Sequence, residues 1–422
     1  MLFTGTAFAR RFAGAALVVC LAVAVCGTQA PSRVGAQSPP SITPEMRALW
    51  VLRTSLVSPE SITTLVQSAK LHGFNALFVQ VRGRGDAYYK GGIEPRGAEL
   101  ARQPEDFDPL AEVLRAAHAA GLRVHAWINV NLVSSATELP RAREHLVYRH
   151  PEWLMVPRAL ALELARMDPA SPGYVGKLAR WTRTQSADVE GLYASPVSAA
   201  AVSHLSAVVA GIVRRYPVDG VHFDYARYPT NRFDYSRTAI REFRVSIQPR
   251  LPIELRRNLA AREKDDRLAF PDALPDEWRR FRVDRMTSLM ARLRTAVKTE
   301  RPAAPVSVAA SADMHEAIEQ KLQDWPRWIE EGLIDAVAPM AYTTEPARFA
   351  EQIAAARVAA GNRQVWAGIG AYRLSPAQTI DNIATARRLG AGGVILFSYD
   401  SLIDPRQSAR GYLAAVARGA FQ

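Results

Sequence analysis

Short apolar runs rich in Val, Ile, Phe and Trp alternate along the chain with longer amphipathic stretches. Short runs bounded by turn residues read as buried strands, and apolar positions recurring every third or fourth residue read as helices. The pattern predicts strands at Ala48–Leu52, Ala76–Val81, Arg123–Ile128, Gly220–Phe223, Val306–Ala310, Ile334–Val337, Gln364–Ile369 and Gly393–Phe397. It predicts helices at Pro59–His72, Pro109–Ala120, Ala201–Arg215, Trp278–Thr299, Trp325–Glu331, Pro346–Ala359, Pro376–Leu389 and Ser408–Arg418. Two units are stretched. A long excursion follows the third strand as far as Val197, and the charged segment Asn231–Pro275 after the fourth reads as a small helical insertion. Strands separated by helices pair in parallel, with the helices outside. Repeated through the chain, this predicts an α/β fold, a (β/α)8 TIM barrel with long insertions after strands 3 and 4. A doubly wound sheet is the competitor, but no GxGxxG follows the first strand.

Such a barrel places its chemistry at the C-terminal ends of its strands. After the second strand come Arg82, Asp86 and Tyr88, then Glu94 in the loop Gly91-Gly92-Ile93-Glu94-Pro95-Arg96. The third strand ends with His125, Trp127 and Asn129, and the fourth with Asp224, Arg227 and Tyr228. Asp313, Tyr342 and Tyr372 close the fifth, sixth and seventh. Carboxylates mixed with aromatics suit carbohydrate chemistry: rings stack on sugar CH faces and carboxylates act at the glycosidic oxygen.

Each of these residues also has a plainer reading. Asp224 follows an apolar strand, where a charge needs a purpose or a partner such as Arg227. Asp219 opens the same strand and reads as structural, at the barrel bottom. A loop glutamate such as Glu94 is ordinarily just solvated, although the neighbouring glycines let backbone approach a ligand. Asp86 fits a turn. His125 and His222 read as hydrogen-bonded interior histidines or as acid–base groups. Trp127, Trp153 and Trp366 suit either core or sugar platform, while Asp324, Trp325 and Trp328 read as a helix cap and packing.

Composition narrows the picture further. At 422 residues, 48% hydrophobic and 22% charged, the chain is globular and long enough to bury a core. Its two cysteines, Cys20 and Cys26, both lie near the start, which excludes a disulfide scaffold. The eight histidines form no HExxH or other close ligand pair, so neither a metal site nor a cofactor is expected. Arg10 and Arg11 precede the apolar run Phe12–Val25, which is short for a membrane span. This reads as a signal peptide of residues 1–36, with cleavage after Ala30 or Ala36. Residues 37–44 then form a Pro/Ser-rich linker before a catalytic domain at 45–422. Val25 before Cys26 disfavours a lipoprotein, so a periplasmic or extracellular protein is expected. Cleavage after Ala36 removes Arg10, Arg11 and Arg33, and lowers the formal charge from +12 to +9. The arginines are scattered and no nucleic-acid motif is present, so the basic balance points to solubility or to anionic envelope polymers. Sequence does not fix the oligomeric state.

Taken in order, the motifs resemble the bacterial glycosyl-hydrolase-like family ten, exported (β/α)8 proteins. The resemblance rests on Arg47-Ala48-Leu49-Trp50, Val81–Tyr89, Ile93-Glu94-Pro95, Phe107–Leu110, Gly121–Trp127, Val218–Asp224, Trp278-Arg279-Arg280 and Ile334–Tyr342. It spans about residues 45 to 400. It implies a glycoside hydrolase, with relatives acting on peptidoglycan glycan strands stripped of peptide, and it implies Glu94 and Asp224 as the working carboxylates. The expectation is then that Glu94 acts as acid with a raised pKa, with Asp224 as base, nucleophile or charge stabiliser. Arg82, Asp86, Tyr88, His125, Trp127, Asn129, Arg227, Tyr228, Asp313, Tyr342 and Tyr372 would bind the glycan. Two departures stand out. Many relatives carry a second aspartate where this chain has Tyr225, and Asn-Pro-Tyr-Arg where it reads Asn129-Val130-Asn131-Leu132. The missing aspartate gives weight to an alternative, a non-catalytic glycan-binding barrel. A deacetylase-type metalloenzyme lacks its metal cluster.

Overall fold

The computed structural model describes residues 44–408 and 411–422. The expected signal peptide and nearly all of the expected linker lie outside the described residues. Eight parallel strands close a barrel in sequence order: β1 Met46–Val51, β2 Ala76–Arg82, β3 Arg123–Asn129, β4 Gly220–Asp224, β5 Val306–Ser311, β6 Ala336–Ala341, β7 Gln364–Ile369 and β8 Gly393–Phe397. The outer helices are α1 Pro59–Leu71, α2 Pro109–Ala119, α3 Ala199–Arg215, α4 Pro275–Glu300, α5 Trp325–Glu330, α6 Pro346–Ala360, α7 Pro376–Arg388 and α8 Tyr412–Ala420. Caps fix several starts: the Ser58, Asp108, Ser198, Asp324 and Ser375 side chains each accept a backbone N–H of the first turn.

The period of two along each strand sorts its residues. Val221 and Phe223 of β4 face the helix layer, whereas His222 and Asp224 alternate with them. The register pairs Trp127 with His222 and Asn129 with Asp224. These residues therefore stack in tiers up the barrel, as inward side chains do in this architecture. The lower tiers are packed with Met46, Ala76, Phe78, Ala336, Trp366 and Ile395. One polar column crosses them. The Trp50 Nε1–H donates to His222 Nε2 (3.1 Å), so His222 Nδ1–H donates to Ser307 Oγ (2.9 Å). Gly368 leaves room for the Trp50 ring, because a Cβ there would lie 2.9 Å from it. Asp219 holds the barrel bottom, accepting from Val124 N at 2.7 Å and contacting His118 Nε2 at 2.8 Å.

Both excursions carry satellite cores. Residues 130–197 fold over the rim around Val133, Leu146, Leu154, Tyr174 and Leu178. The insertion after β4 is helical as expected, with helices Arg237–Ile247, Ile253–Arg262 and Ala269–Ala273. Phe243, Leu259 and Phe270 pack it against Trp278 of α4. The sixth strand differs from expectation. It starts at Ala336 rather than Ile334 and runs to Ala341 rather than stopping at Val337, with Pro339 inside the strand. Its ladder to β7 is correspondingly interrupted between Val337 and Met340.

Candidate active site

The strand ends on one face of the barrel open into a cleft of about 470 Å³. Trp50, Gln80, Trp127, Asn129, Asp224, Met340, Tyr342 and Phe397 line it from the barrel side. Arg53, Arg84, Tyr225 and Arg227 line it from the rim loops. Asn129 ties two strand ends together: its amide donates to Gly83 O (2.7 Å), and its carbonyl accepts the Trp127 indole N–H (2.8 Å). The Tyr342 ring stacks on Phe397, with Trp50 edge-on to both. This apolar wall is the surface a pyranose face would meet.

Asp224 is the sole carboxylate among these lining residues. Burial raises its pKa to about 6, against the Arg227 charge and the Tyr225 N–H, which donates to Asp224 Oδ1 at 2.6 Å. The nearby Glu190 charge also pushes it up. A carboxyl in this range carries a proton through much of the mildly acidic range and can give it up, as acid–base catalysis requires. Arg227 is committed elsewhere, to Glu190 Oε1 at 2.7 Å and over the Tyr225 ring at 4.6 Å. The Glu190 carboxylate also accepts the Tyr193 hydroxyl (2.6 Å). Tyr225 has a left-handed backbone, φ +50°. That conformation costs a non-glycine residue about 1–2 kcal/mol and is met most often at functional positions.

Glu94 is in a different place. Its side chain is 1% exposed and forms a two-pronged ion pair with Arg82, with both N···O distances 2.7 Å. His204 Nε2 adds a third contact at 3.2 Å. Burial alone would raise the Glu94 pKa, but the Arg82 charge and the hydrogen bonds from His204 and Arg82 overcome it and hold the carboxyl at about 2. The expected acid with a raised pKa is thus a permanently ionised group at this site. Arg82 is not a cleft residue either. Its guanidinium donates to the backbone carbonyls of Asn129 and Val130, bracing the end of β3 from behind.

Other expectations separate in the same way. Trp127, Asn129, Arg227 and Tyr342 line the cleft, and the exposed Tyr372 meets Tyr342 and Phe397 edge-on at its border. Asp86 is a turn residue, accepting the N–H groups of Gly83 (3.1 Å) and Arg84 (2.8 Å). Tyr88 is fully buried, its hydroxyl on Glu99. Tyr228 is also buried, donating to Arg282 O at 3.2 Å. His125 lies inside the barrel, stacked on Phe78 with 4.4 Å between ring centroids, and burial pulls its pKa down to about 3. Asp313 caps the turn that follows β5, accepting Glu316 N at 3.0 Å. Arg53, Arg84 and Phe397 reach the cleft without having been site candidates, as do Trp50, named only in a motif, and Tyr225, named only as a departure. Alternation from Ala48 through Trp50 was the signal available for Trp50.

The family profile described as Glycosyl hydrolase-like 10 matches residues 45–174 and 161–385. The chain belongs to this family. It is 25% identical to the glycosyl hydrolase DigH of Escherichia coli strain K12 over 377 residues, covering 78% of this chain and 74% of that protein. It is 23% identical to the glycosyl hydrolase YngK of Bacillus subtilis strain 168 over 330 residues, covering 71% of this chain and 54% of that protein. Among solved structures it resembles the glycoside hydrolase domain of PgaB (BpsB) from Bordetella bronchiseptica, with a TM-score of 0.59 and 17% identity. That match covers 88% of this chain and 99% of the other. The catalytic domain of a β-amylase from Paenibacillus polymyxa gives a TM-score of 0.58 at 10% identity, covering 90% and 99%. At these identities the likeness is one of fold, the (β/α)8 barrel of glycoside hydrolases. Family membership gives the departure at Tyr225 its interest. The side chain next to the cleft carboxylate is a phenol held against Arg227, where the resemblance leads a second acid to be expected.

Proposed function

We propose that this chain is an exported glycoside hydrolase that cleaves the glycosidic bonds of a polysaccharide, with peptidoglycan glycan strands as the leading substrate. The observation that carries this reading is Asp224: a carboxyl at a strand end, walled by Trp127, Tyr342 and Phe397, with its pKa raised to about 6. Protonated, Asp224 gives its proton to the departing glycosidic oxygen; ionised, it takes one from water. Trp50, Trp127 and Tyr342 hold the sugar ring over it. Glu94 acts at one remove, keeping Arg82 charged and in place so that Asn129 is fixed beside Asp224. Among the described residues no second carboxylate lines the cleft; Glu190, ion-paired to Arg227 and accepting the Tyr193 hydroxyl, holds Arg227 beside Asp224.

The same geometry favours one competing reading. With a single carboxylate on the cleft wall and Tyr225 beside it, the barrel would bind glycan without cutting it. Incubation with a panel of peptide-free peptidoglycan strands, chitin oligomers and α- and β-glucans separates the two. New reducing ends from one polymer, lost in Asp224→Asn, support the hydrolase. Tight binding with no new ends across the panel supports the binding protein.

A further inference from the structure

The cleft does not end at the sugar wall. A second cavity of about 320 Å³ adjoins it, and Arg53 and Arg84 line both. These two guanidiniums are the ones both cavities share; Arg141, which has no hydrogen bond or ion pair among the described residues, lines only the second cavity. Arg227 is spent on Glu190 and Tyr225. Arg96, in the second cavity, is spent on the carbonyls of Pro104, Glu105 and Phe107. By contrast, the Arg84 side chain makes no hydrogen bond or ion pair among the described residues. Arg53 gives one N–H to Gln80 Oε1 (3.0 Å), but its Nε is buried without a hydrogen-bond partner. Two carboxylates face that Nε at ion-pair distance but beyond a hydrogen bond, Glu99 at 3.7 Å and Asp86 at 3.9 Å, so Arg53 is only loosely paired and Arg84 is the freer of the two.

The backbone beneath is built to hold the pair. A Cβ at Gly83 would lie 2.8 Å from Arg53 Cδ, so the missing side chain is what lets Arg53 lie across the loop. Asp86 pins the amides of Gly83 and Arg84. His145 receives Val147 N–H on Nδ1, so its Nε2–H donates to Arg84 O (2.8 Å) and anchors the loop from the other side. Burial and the Arg53 charge weaken the protonated form of Arg84, which Asp86 and Glu99, lining the second cavity beside Glu138, only partly offset. An anion between them relieves both costs, and the guanidinium fork matches a carboxylate in geometry.

We infer that Arg84 and Arg53 form an anion subsite, and that the glycan this cleft takes carries a carboxylate on a sugar next to the one over Asp224. This deepens the hydrolase reading and rests on it for the glycan. The same chemistry is offered by a uronic acid or by an acid ether-linked to an amino sugar, so the probes include both. Oligogalacturonates and peptide-free peptidoglycan strands are titrated calorimetrically into the full chain, each beside its methyl-esterified twin. Asp224→Asn is used in parallel to keep the polymer uncut. At least one acid form is expected to bind at least tenfold more tightly than its ester. Arg84→Gln is expected to remove most of that ratio at an unchanged melting temperature, and Arg84→Lys to restore part of it. Which polymer shows the preference identifies the source of the carboxylate.

Equal binding of acid and ester, binding of neither acid, or a preference that survives Arg84→Gln overturns the inference. The last result would mean that general positive charge, not a subsite, attracts the polymer. The two readings fail separately. New reducing ends without an acid preference sink the subsite and spare the hydrolase. An Arg84-dependent preference without new ends does the reverse.

Discussion

Glu94 and Asp224 are both buried carboxylates near the same strand ends, and their environments drive them in opposite directions. Each pays desolvation. Glu94 receives a two-pronged guanidinium and a histidine in return, and its pKa falls to about 2. Asp224 faces an open cleft, its nearest cation is committed to Glu190, and its pKa rises to about 6. Burial alone therefore does not make a carboxylate reactive; what matters is whether a partner compensates it. Separating the pKa values of two carboxyls is also how a site divides structural from chemical work.

The largest expected effect breaks the reactive half of this pair. Asp224→Asn should lower kcat in a reducing-end assay by about a thousandfold, the scale of a lost general acid or base. Full activity in that variant would remove Asp224 from the chemistry. The structural half should fail differently. Glu94→Ala leaves the Arg82 charge buried and unpaired, and should cost about 3–5 kcal/mol in a denaturant titration. If stability is unchanged, the ion pair is not holding the end of β3.

Stability against pH sharpens the contrast. Glu94 has a depressed pKa, so its contribution is complete above its ordinary value of 4.5 and is lost as pH falls toward 2. Asp224 has the opposite sign. Its raised pKa means the folded state holds the proton better, so stability falls as pH rises from 3.8 through 6. Asp224→Asn should thus be more stable than the native chain at pH 8, by about 3 kcal/mol, with the gain fading toward pH 4. Thermal melts of the two proteins across this range test it, and a gain that grows toward low pH would reverse the assignment. The smallest effect concerns a residue outside the comparison. His125→Leu should shift the melting temperature while leaving KM for any cleaved glycan unchanged, because the ring lies in the barrel interior rather than in the cleft.

The sequence made the barrel readable for a physical reason. Strands buried on both faces leave continuous apolar runs, and each run here is followed by an amphipathic helix with a recognisable start. The sixth strand is the exception, displaced by a few residues from its expected range to Ala336–Ala341. The site was half legible. A carboxylate ending the apolar run Val221-His222-Phe223 signals a cost that needs explaining, and Asp224 repays that attention. Glu94 gave no such warning of its fate: its partner Arg82 looks like any rim arginine, and nothing local shows that two residues twelve positions apart fold face to face in the interior. Tyr88 and Tyr228 likewise sit at the rim in sequence but turn inward to bond Glu99 and Arg282. Arg53 and Arg84 were invisible for the converse reason, since a guanidinium left without a partner is a property of the assembled groove.

The most direct test is to titrate the two carboxyls themselves. Carbon-13 resonances of labelled Asp and Glu side chains would be followed from pH 2 to 9 in the native chain and assigned by loss in Asp224→Asn and Glu94→Gln. The predicted result is an Asp224 carboxyl titrating near pH 6 and a Glu94 carboxyl still ionised at pH 3. An Asp224 that titrates near 4, or a Glu94 that titrates above 5, would contradict the division of labour on which the proposed function stands.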